Sequence, residues 1–293
     1  MSAAPSVRIL DETRCRLGEG PSYEAETDTL FWFDILDRKL LEHSFNTGQT
    51  KVHDLPFMAS AIFSVDAGRQ LILSGYGLHL RDRASGALSL HVAVEADNRV
   101  TRSNDARAHP CGAVWFGTMG IDEEAGAGSI YHFFKGRVSL LFPDITIPNS
   151  ICFSPDGAIA YFADTPTHRL MRVAIDPKSA LPIGEPQLHH AHQGAGWIDG
   201  SVCDADGNVW NARWGAGEVA CHAPDGREIS RLSVPQSPQT SCPAFVGKRA
   251  DRVIVTSAYK LMSDEALTAA PDAGKTFIAD LKVSGRHEPK VQI

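Results

Sequence analysis

Apolar and polar positions alternate along most of this chain in short runs, and glycine, proline, asparagine or aspartate bounds nearly every run. A period of two between turn residues predicts half-buried β-strands. Six runs share one layout, a turn residue followed by an apolar strand. The turns are Asp28 (then T-L-F-W-F-D), Gly68 (R-Q-L-I-L-S), Gly112 (A-V-W-F-G-T), Gly157 (A-I-A-Y-F-A-D), Gly207 (N-V-W-N-A-R) and Asp251 (R-V-I-V-T-S). They recur at intervals of 40 to 50 residues, the spacing of propeller blades. The clearest copy is W-I-D-G-S-V-C-D-A-D-G-N-V-W (197–210), where Asp206-Gly207 between two β-rich runs is a hairpin signal.

Further strand-and-turn pieces fill each interval, such as S-I-Y-H-F-F-K-G-R-V (129–138). Helical periodicity is confined to one short turn near Ser263 to Leu267. T-F-I-A-D-L-K-V (276–283) reads as a strand of the last blade, and Val7 to Leu10 supplies its outer strand and closes the ring. The expected fold is all-β, a six-bladed β-propeller, with residues 1–293 as one domain.

In a propeller the innermost strand of each blade lines a central channel. The slot eight to ten residues before each turn therefore faces the axis in every blade. Those slots hold Glu19, Ser60, Asn104, Asn149, Asp199 and, in the last copy, Ser241 or Cys242. Two carboxylates and two amides converging on one point are costly to desolvate without a cation. An all-oxygen set with two negative charges suits calcium, magnesium or manganese. Taken singly, Asn104-Asp105 and Asp199-Gly200 read as turn residues; their common register across repeats is what turn chemistry does not require. Trp115, Trp210 and Phe31 to Phe33 read as packing between blades, and His189, His190 and His192 as a surface loop.

A hydrophobic content of 43% and a charged content of 22% are those of a soluble globular protein. The net charge of −7 argues against a nucleic-acid partner. No apolar run is long enough to span a bilayer. M-S-A-A-P-S-V-R-I-L-D lacks a basic and apolar leader pattern, and the six scattered cysteines form no C-x-x-C pair, so the expected location is cytoplasmic without disulfides. No feature of the pattern sets an oligomeric state.

Seven motifs follow in order: L-G-E-G-P (17–21), R-S-N-D (102–105), W-F-G-T-M (115–119), I-P-N-S (147–150), F-S-P-D-G (153–157), D-G-S-V (199–202) and T-S-C (240–242). Together they resemble the SMP-30/gluconolactonase/regucalcin family across essentially the whole chain. The resemblance implies a six-bladed propeller that hydrolyses a sugar lactone with one divalent metal ion. Calcium is the favoured ion, with magnesium, manganese, zinc or iron(II) as alternatives. It implies Glu19, Asn149 and Asp199 as metal ligands, with Asp199 also the catalytic general base. Arg102 and Asn104 would bind substrate, together with one acidic residue among Asp122, Glu123 and Glu124, of which Glu123 is preferred. The family commonly has P-N-G where this chain has Pro148-Asn149-Ser150, so the loop shape there is open. No G-x-S-x-G pattern occurs, and no covalent acyl-enzyme is expected. The same centre would also serve a promiscuous esterase or organophosphate hydrolase. The reading from a different class is a non-catalytic, metal-binding propeller.

Overall fold

The computed structural model describes residues 6–293. Strand pairing yields five antiparallel sheets, four of four strands and one of eight. The four-stranded sheets occupy 18–54, 59–93, 101–145 and 148–191. Their first strands are Gly18–Glu24, Ala59–Ser64, Thr101–Ala108 and Pro148–Phe153. The eight-stranded sheet has two halves. One starts with Trp197–Cys203 and ends with Glu228–Ser233. The other starts with Gln239–Val246 and ends with Val7–Asp11, which pairs with Thr276–Ala279.

The six first strands touch one another in sequence, and Gln239–Val246 returns to Gly18–Glu24. The result is a propeller-like ring around a central channel. The expectation of six separate sheets needs one correction. Trp214 pairs with Gln239 across the boundary of the last two units, and that single pair fuses them into one sheet. The strand expected at 276–283 stops at Ala279; Leu281 and Val283 instead lay half-buried side chains on the core between the two halves. The short helix is Asp264–Ala269, and the Ser263 hydroxyl caps it by accepting from the amide of Ala266.

Flat sheets bury both faces only against neighbours, so the core is divided into six apolar clusters, one per junction. Trp115 packs with Phe153 and Phe162 between the third and fourth units. Trp210 lies between the halves of the large sheet, and Phe31 and Phe33 lie between the first two units. These are the packing roles their positions predicted.

The histidines are a correction. His189 and His190 belong to the outer strand Gln187–Ala191, and the side chains of His189 and His192 are buried rather than on a surface loop. His189 meets Tyr161 edge-on at 4.9 Å, and neither of its ring nitrogens has a hydrogen-bond partner. The alternation of that strand turns His189 inward, a periodicity hidden because the apolar Leu188 faces out. Burial, with Arg172 and His190 adding to it, lowers His189 to about 4 from the usual 6.5.

Beyond Ala279 the chain crosses the end of the channel without regular secondary structure. It bonds to every unit. Ser284 accepts from the amide of Ala205, and the amide of Gly285 donates to Ala250. Arg286 donates to the Phe153 carbonyl, and His287 contacts the Gly247 carbonyl. Lys290 pairs with Glu26, the Val291 amide donates to Ser64, and the Gln292 amide donates to Gly112. Such a segment ties the ring shut.

Two outcomes follow for stability. Deleting 284–293 removes several bonds worth roughly 1 kcal/mol each, so the melting temperature should fall by roughly 10 °C or more in calorimetry. His189 has a depressed native pKa, so its neutral form stabilises above the unfolded value of 6.5, and that contribution is lost as acid protonates the unfolded chain. His189→Phe should therefore reduce the stability difference between pH 7 and pH 5 by about 2 kcal/mol in urea melts.

Candidate functional site

Every first strand carries a register irregularity where its slot residue lies. The shifts fall between Glu19 and Ser22, Ala59 and Ala61, Ser103 and Ala106, Asn149 and Cys152, Ile198 and Ser201, and Thr240 and Pro243. A β-bulge re-aims the side chain it contains. Here six bulges turn six polar residues out of the sheets towards the axis, and all are buried.

Close packing around the axis dictates the glycines beside them. A Cβ on Gly20, whose φ is +58°, would lie 1.8 Å from the Ser60 carbonyl oxygen; one on Gly200 would lie 2.5 Å from the Cys242 sulfur. Ser150 has φ of +61°, the left-handed region that glycine favours. Its hydroxyl offsets the strain by donating to the Asp199 carbonyl at 2.6 Å and accepting from Asn211 at 2.9 Å. Serine thus holds a left-handed position of the kind a glycine would take.

Two aspartates fix the loops that enter the first strands. Asp34 accepts from the amides of Arg16 and Leu17, and Asp164 from those of Thr146 and Ile147. In each case the anchored residues lie just ahead of a slot residue, Glu19 or Asn149.

The slots do not all meet. Glu19, Asn104, Asn149 and Asp199 line one cavity of about 430 Å³, together with Arg102 and Glu123. Ser60, Ser241 and Cys242 lie outside it and join neighbouring strands instead. Ser60 donates to Ser103, and Ser241 donates to the Gly18 carbonyl. Of the three acidic candidates only Glu123 faces the cavity; Glu124 turns back to accept from the amide of Asp122.

A hydrogen-bond chain orders the polar floor. Arg102 Nη1 donates to Asn104 Oδ1 at 2.9 Å, and Asn104 Nδ2 donates to Asn149 Oδ1 at 3.0 Å. Asn149 Nδ2 donates to Thr165 Oγ1, whose own proton goes to the Ile198 carbonyl. This fixes the amide of Asn149 with its oxygen towards Asn104.

Glu19 and Asp199 form no ion pair with any lysine or arginine of the described residues. Burial raises both carboxyls well above the usual range, and negative neighbours add to it: Asp105 for Glu19, then Glu19 and Asp105 for Asp199. Arg102 is equally buried, unpaired, and left with an unbonded Nε; burial lowers it to about 10, so it stays cationic at neutral pH. Among the described residues no three His, Cys, Asp or Glu side chains gather as a metal-ligating group. The donors on the floor are two carboxylates and one amide oxygen, a hard-oxygen set that fits a divalent cation, with Arg102 nearby but in no ion pair with either carboxylate.

Asp105, read from the sequence as a turn residue, is buried between the first strands of two units. It accepts from the amide of Ala106 at 2.8 Å and from that of Ile151 at 2.7 Å. Burial raises it to about 6, against the pull of Arg107. The cavity wall also contains Lys260, Trp197, Trp214 and Leu261. Trp197 and Trp214 are cross-strand partners, and Trp197 stacks on His168 at 4.4 Å. Lys260 pairs with Glu123 across the mouth. None of these four occupies a repeat slot, so only the folded ring brings them to the site.

Residues 17–259 match the family model described as SMP-30/Gluconolactonase/LRE-like region. An L-arabinolactonase of Azospirillum brasilense is 33% identical over 96% of this chain and 94% of its own. A Rhizobium meliloti protein with the provisional name sugar lactone lactonase is 50% identical over 98% of both chains. A crystal structure of the calcium-binding protein regucalcin from Agrobacterium tumefaciens superimposes with a TM-score of 0.97 at 50% identity, covering 99% of this chain and 98% of that one. The chain belongs to the SMP-30/gluconolactonase/LRE-like family.

The Ser150 loop can be tested directly. Ser150→Gly should stay within about 1 kcal/mol of the wild type, because relief of φ strain offsets the lost hydroxyl. Ser150→Ala keeps the strain and loses the bonds, and should cost about 2 kcal/mol or more in denaturant unfolding.

Proposed function

We propose that this protein is a cytoplasmic, single-domain, six-bladed propeller hydrolase that opens a sugar lactone to its aldonic acid. Glu19, Asn149 and Asp199 hold one divalent cation in this reading, and calcium is the favoured ion. The fused eight-stranded sheet counts as two blades, since each half contributes one first strand to the ring. The observation that carries the proposal is electrostatic. Two buried carboxylates without a cationic partner share a cavity with a buried arginine whose Nε is unbonded. That floor is poised for a cation and an oxygen-rich ligand. The names of the arabinolactonase and sugar lactone lactonase relatives support the substrate class, and the calcium-binding regucalcin supports the ion.

A divalent cation in that place would draw electron density from the lactone carbonyl and stabilise the charge that develops on its oxygen. The chain does the rest. Arg102 offers a planar fork of donors to ring and hydroxyl oxygens. Asn104, held by Arg102 and Pro148, fixes the substrate relative to Asn149. Glu123 accepts from a sugar hydroxyl at the mouth. Asp199 takes the proton of the attacking water. The alcohol oxygen of the opened ring recovers a proton, and no covalent enzyme intermediate forms.

A second reading has its own support. Trp197, Trp214 and Leu261 give the mouth an apolar side, which would accept the aryl group of a promiscuous esterase or organophosphate substrate. A panel of hexono- and pentonolactones, aryl esters and a phosphotriester, followed by pH indicator with chelated and metal-reloaded protein, separates the readings. We expect the highest kcat/KM on a sugar lactone, loss of activity with chelator, and a fall of at least about 100-fold in Asp199→Ala. Preference for the aryl ester selects the second reading; no turnover with any substrate and metal leaves the protein as a binding propeller.

A further inference from the structure

The channel is closed, on the side away from the cavity mouth, by the segment 280–293. Residues 286–289 of that segment line a recess at the closed end with Arg107, and Glu288 reaches the guanidinium. Glu288 Oε1 accepts from Arg107 Nη1 at 2.8 Å, and the Arg107 side chain is only 8% exposed. Arg107 Nη2 donates to the Ser201 carbonyl at 3.0 Å and lies 3.5 Å from Cys242 Sγ; its Nε has no partner. Arg107 shares the strand Thr101–Ala108 with Asp105 and Arg102, so one strand carries charge along the depth of the channel.

The charged groups form a column. Arg102 adjoins Glu19 and Asp199 at the cavity, Asp105 lies next to both carboxylates, and Arg107 and then Glu288 follow towards the closed end. Of the carboxylates, Glu288 acts on Arg107 most strongly, then Asp105. Four carboxylates stand against two guanidinium groups. The column therefore carries a net charge of −2, which one divalent ion would balance.

We propose that Glu288 is a positioning residue for the candidate cation site: it holds Arg107 at the closed end of the channel and keeps the column's charge matched to a divalent ion. The inference rests on the cation reading above. Without the Glu288 carboxylate, the guanidinium is left with Asp105 and Glu19 as its carboxylate neighbours. Its charge is then spent on the same cluster that would hold the cation, and the column keeps one negative charge instead of two. A charge acting through a buried, weakly screened path is felt at full sign by the ion.

The test is calorimetric titration of the full chain with calcium chloride at pH 7.5, using wild type, Glu288→Gln, Glu288→Asp and the double variant Arg107→Met/Glu288→Gln. Glu26→Gln is the control, since it cuts the segment's pairing with Lys290 outside the column. Glu288→Gln should weaken calcium binding about tenfold or more. Glu288→Asp should recover most of the loss, and Glu26→Gln should match wild type. The double variant removes one positive and one negative charge and restores the balance, so its Kd should return to within about threefold of wild type. A purely structural role for the segment would not produce that rescue. Wild-type binding with an unchanged Kd in Glu288→Gln overturns the inference, as does a double variant no tighter than the single one. If Glu288→Gln fails to fold, the double variant against wild type decides: a loss of tenfold or more overturns it. Absence of calcium, magnesium or manganese binding by the wild type instead overturns the cation reading itself.

Discussion

The pairing of Val7–Asp11 with Thr276–Ala279 is the contact on which the rest of the molecule depends. It joins the two ends of the chain into one sheet, and only a closed ring brings the first strands of the six units to a common axis. An open array would leave Glu19 on one edge and Gln239–Val246 on another, with apolar faces of both exposed. The segment beyond Ala279 reinforces the closure by bonding to the four separate sheets and to both halves of the fused one. Closure, core burial and site assembly are thus one cooperative event rather than three.

Once the ring closes, electrostatics dominates its centre. Six charged side chains follow one another along a narrow channel, five of them buried, and the two carboxylates at the cavity have no ion-pair partner. Burial of that kind is destabilising, and a fold retains it only where a ligand or a reaction makes use of it. Hydrogen bonds restrain the neighbours: the Arg102–Asn104–Asn149–Thr165 chain leaves little rotameric freedom on the floor. The mouth is different in character, with two tryptophans and the Lys260–Glu123 pair forming a half-exposed rim. Floor and rim divide the chemistry between a rigid, charged base and a more adaptable wall.

The bulges connect these two levels. A regular strand would point Glu19, Asn149 and Asp199 along the sheet normal, into the clusters between units, where a charge is intolerable. One irregular step in each first strand turns them to the axis while the residues on either side stay in the apolar layers. The steps explain why glycine or a left-handed residue follows the slot at Gly20, Ser150 and Gly200: the backbone is extruded there against the neighbouring strand.

What the sequence determined by itself follows from local chemistry repeated at intervals. Alternation and turn residues specify strands, and their recurrence every 40 to 50 residues specifies like units. The common register of Glu19, Asn104, Asn149 and Asp199 places them together without any knowledge of the path between. Tertiary structure alone decided the rest. Ser60 and Ser241 occupy equivalent slots yet miss the cavity, because hydroxyls that short are satisfied by the next strand before they reach it. Asp105 acquires its burial from a partner amide 46 residues away, and Arg107 from Glu288 181 residues away. His189 is buried because its strand alternates, although it is polar and the apolar Leu188 beside it is exposed. Lys260 comes from a connection whose spacing no repeat governs, Trp197 and Trp214 from the paired ends of two strands, and only closure carries them to the mouth. Periodicity encodes what each unit does alone; contacts between units, which set charge and shape at the axis, have no period to read.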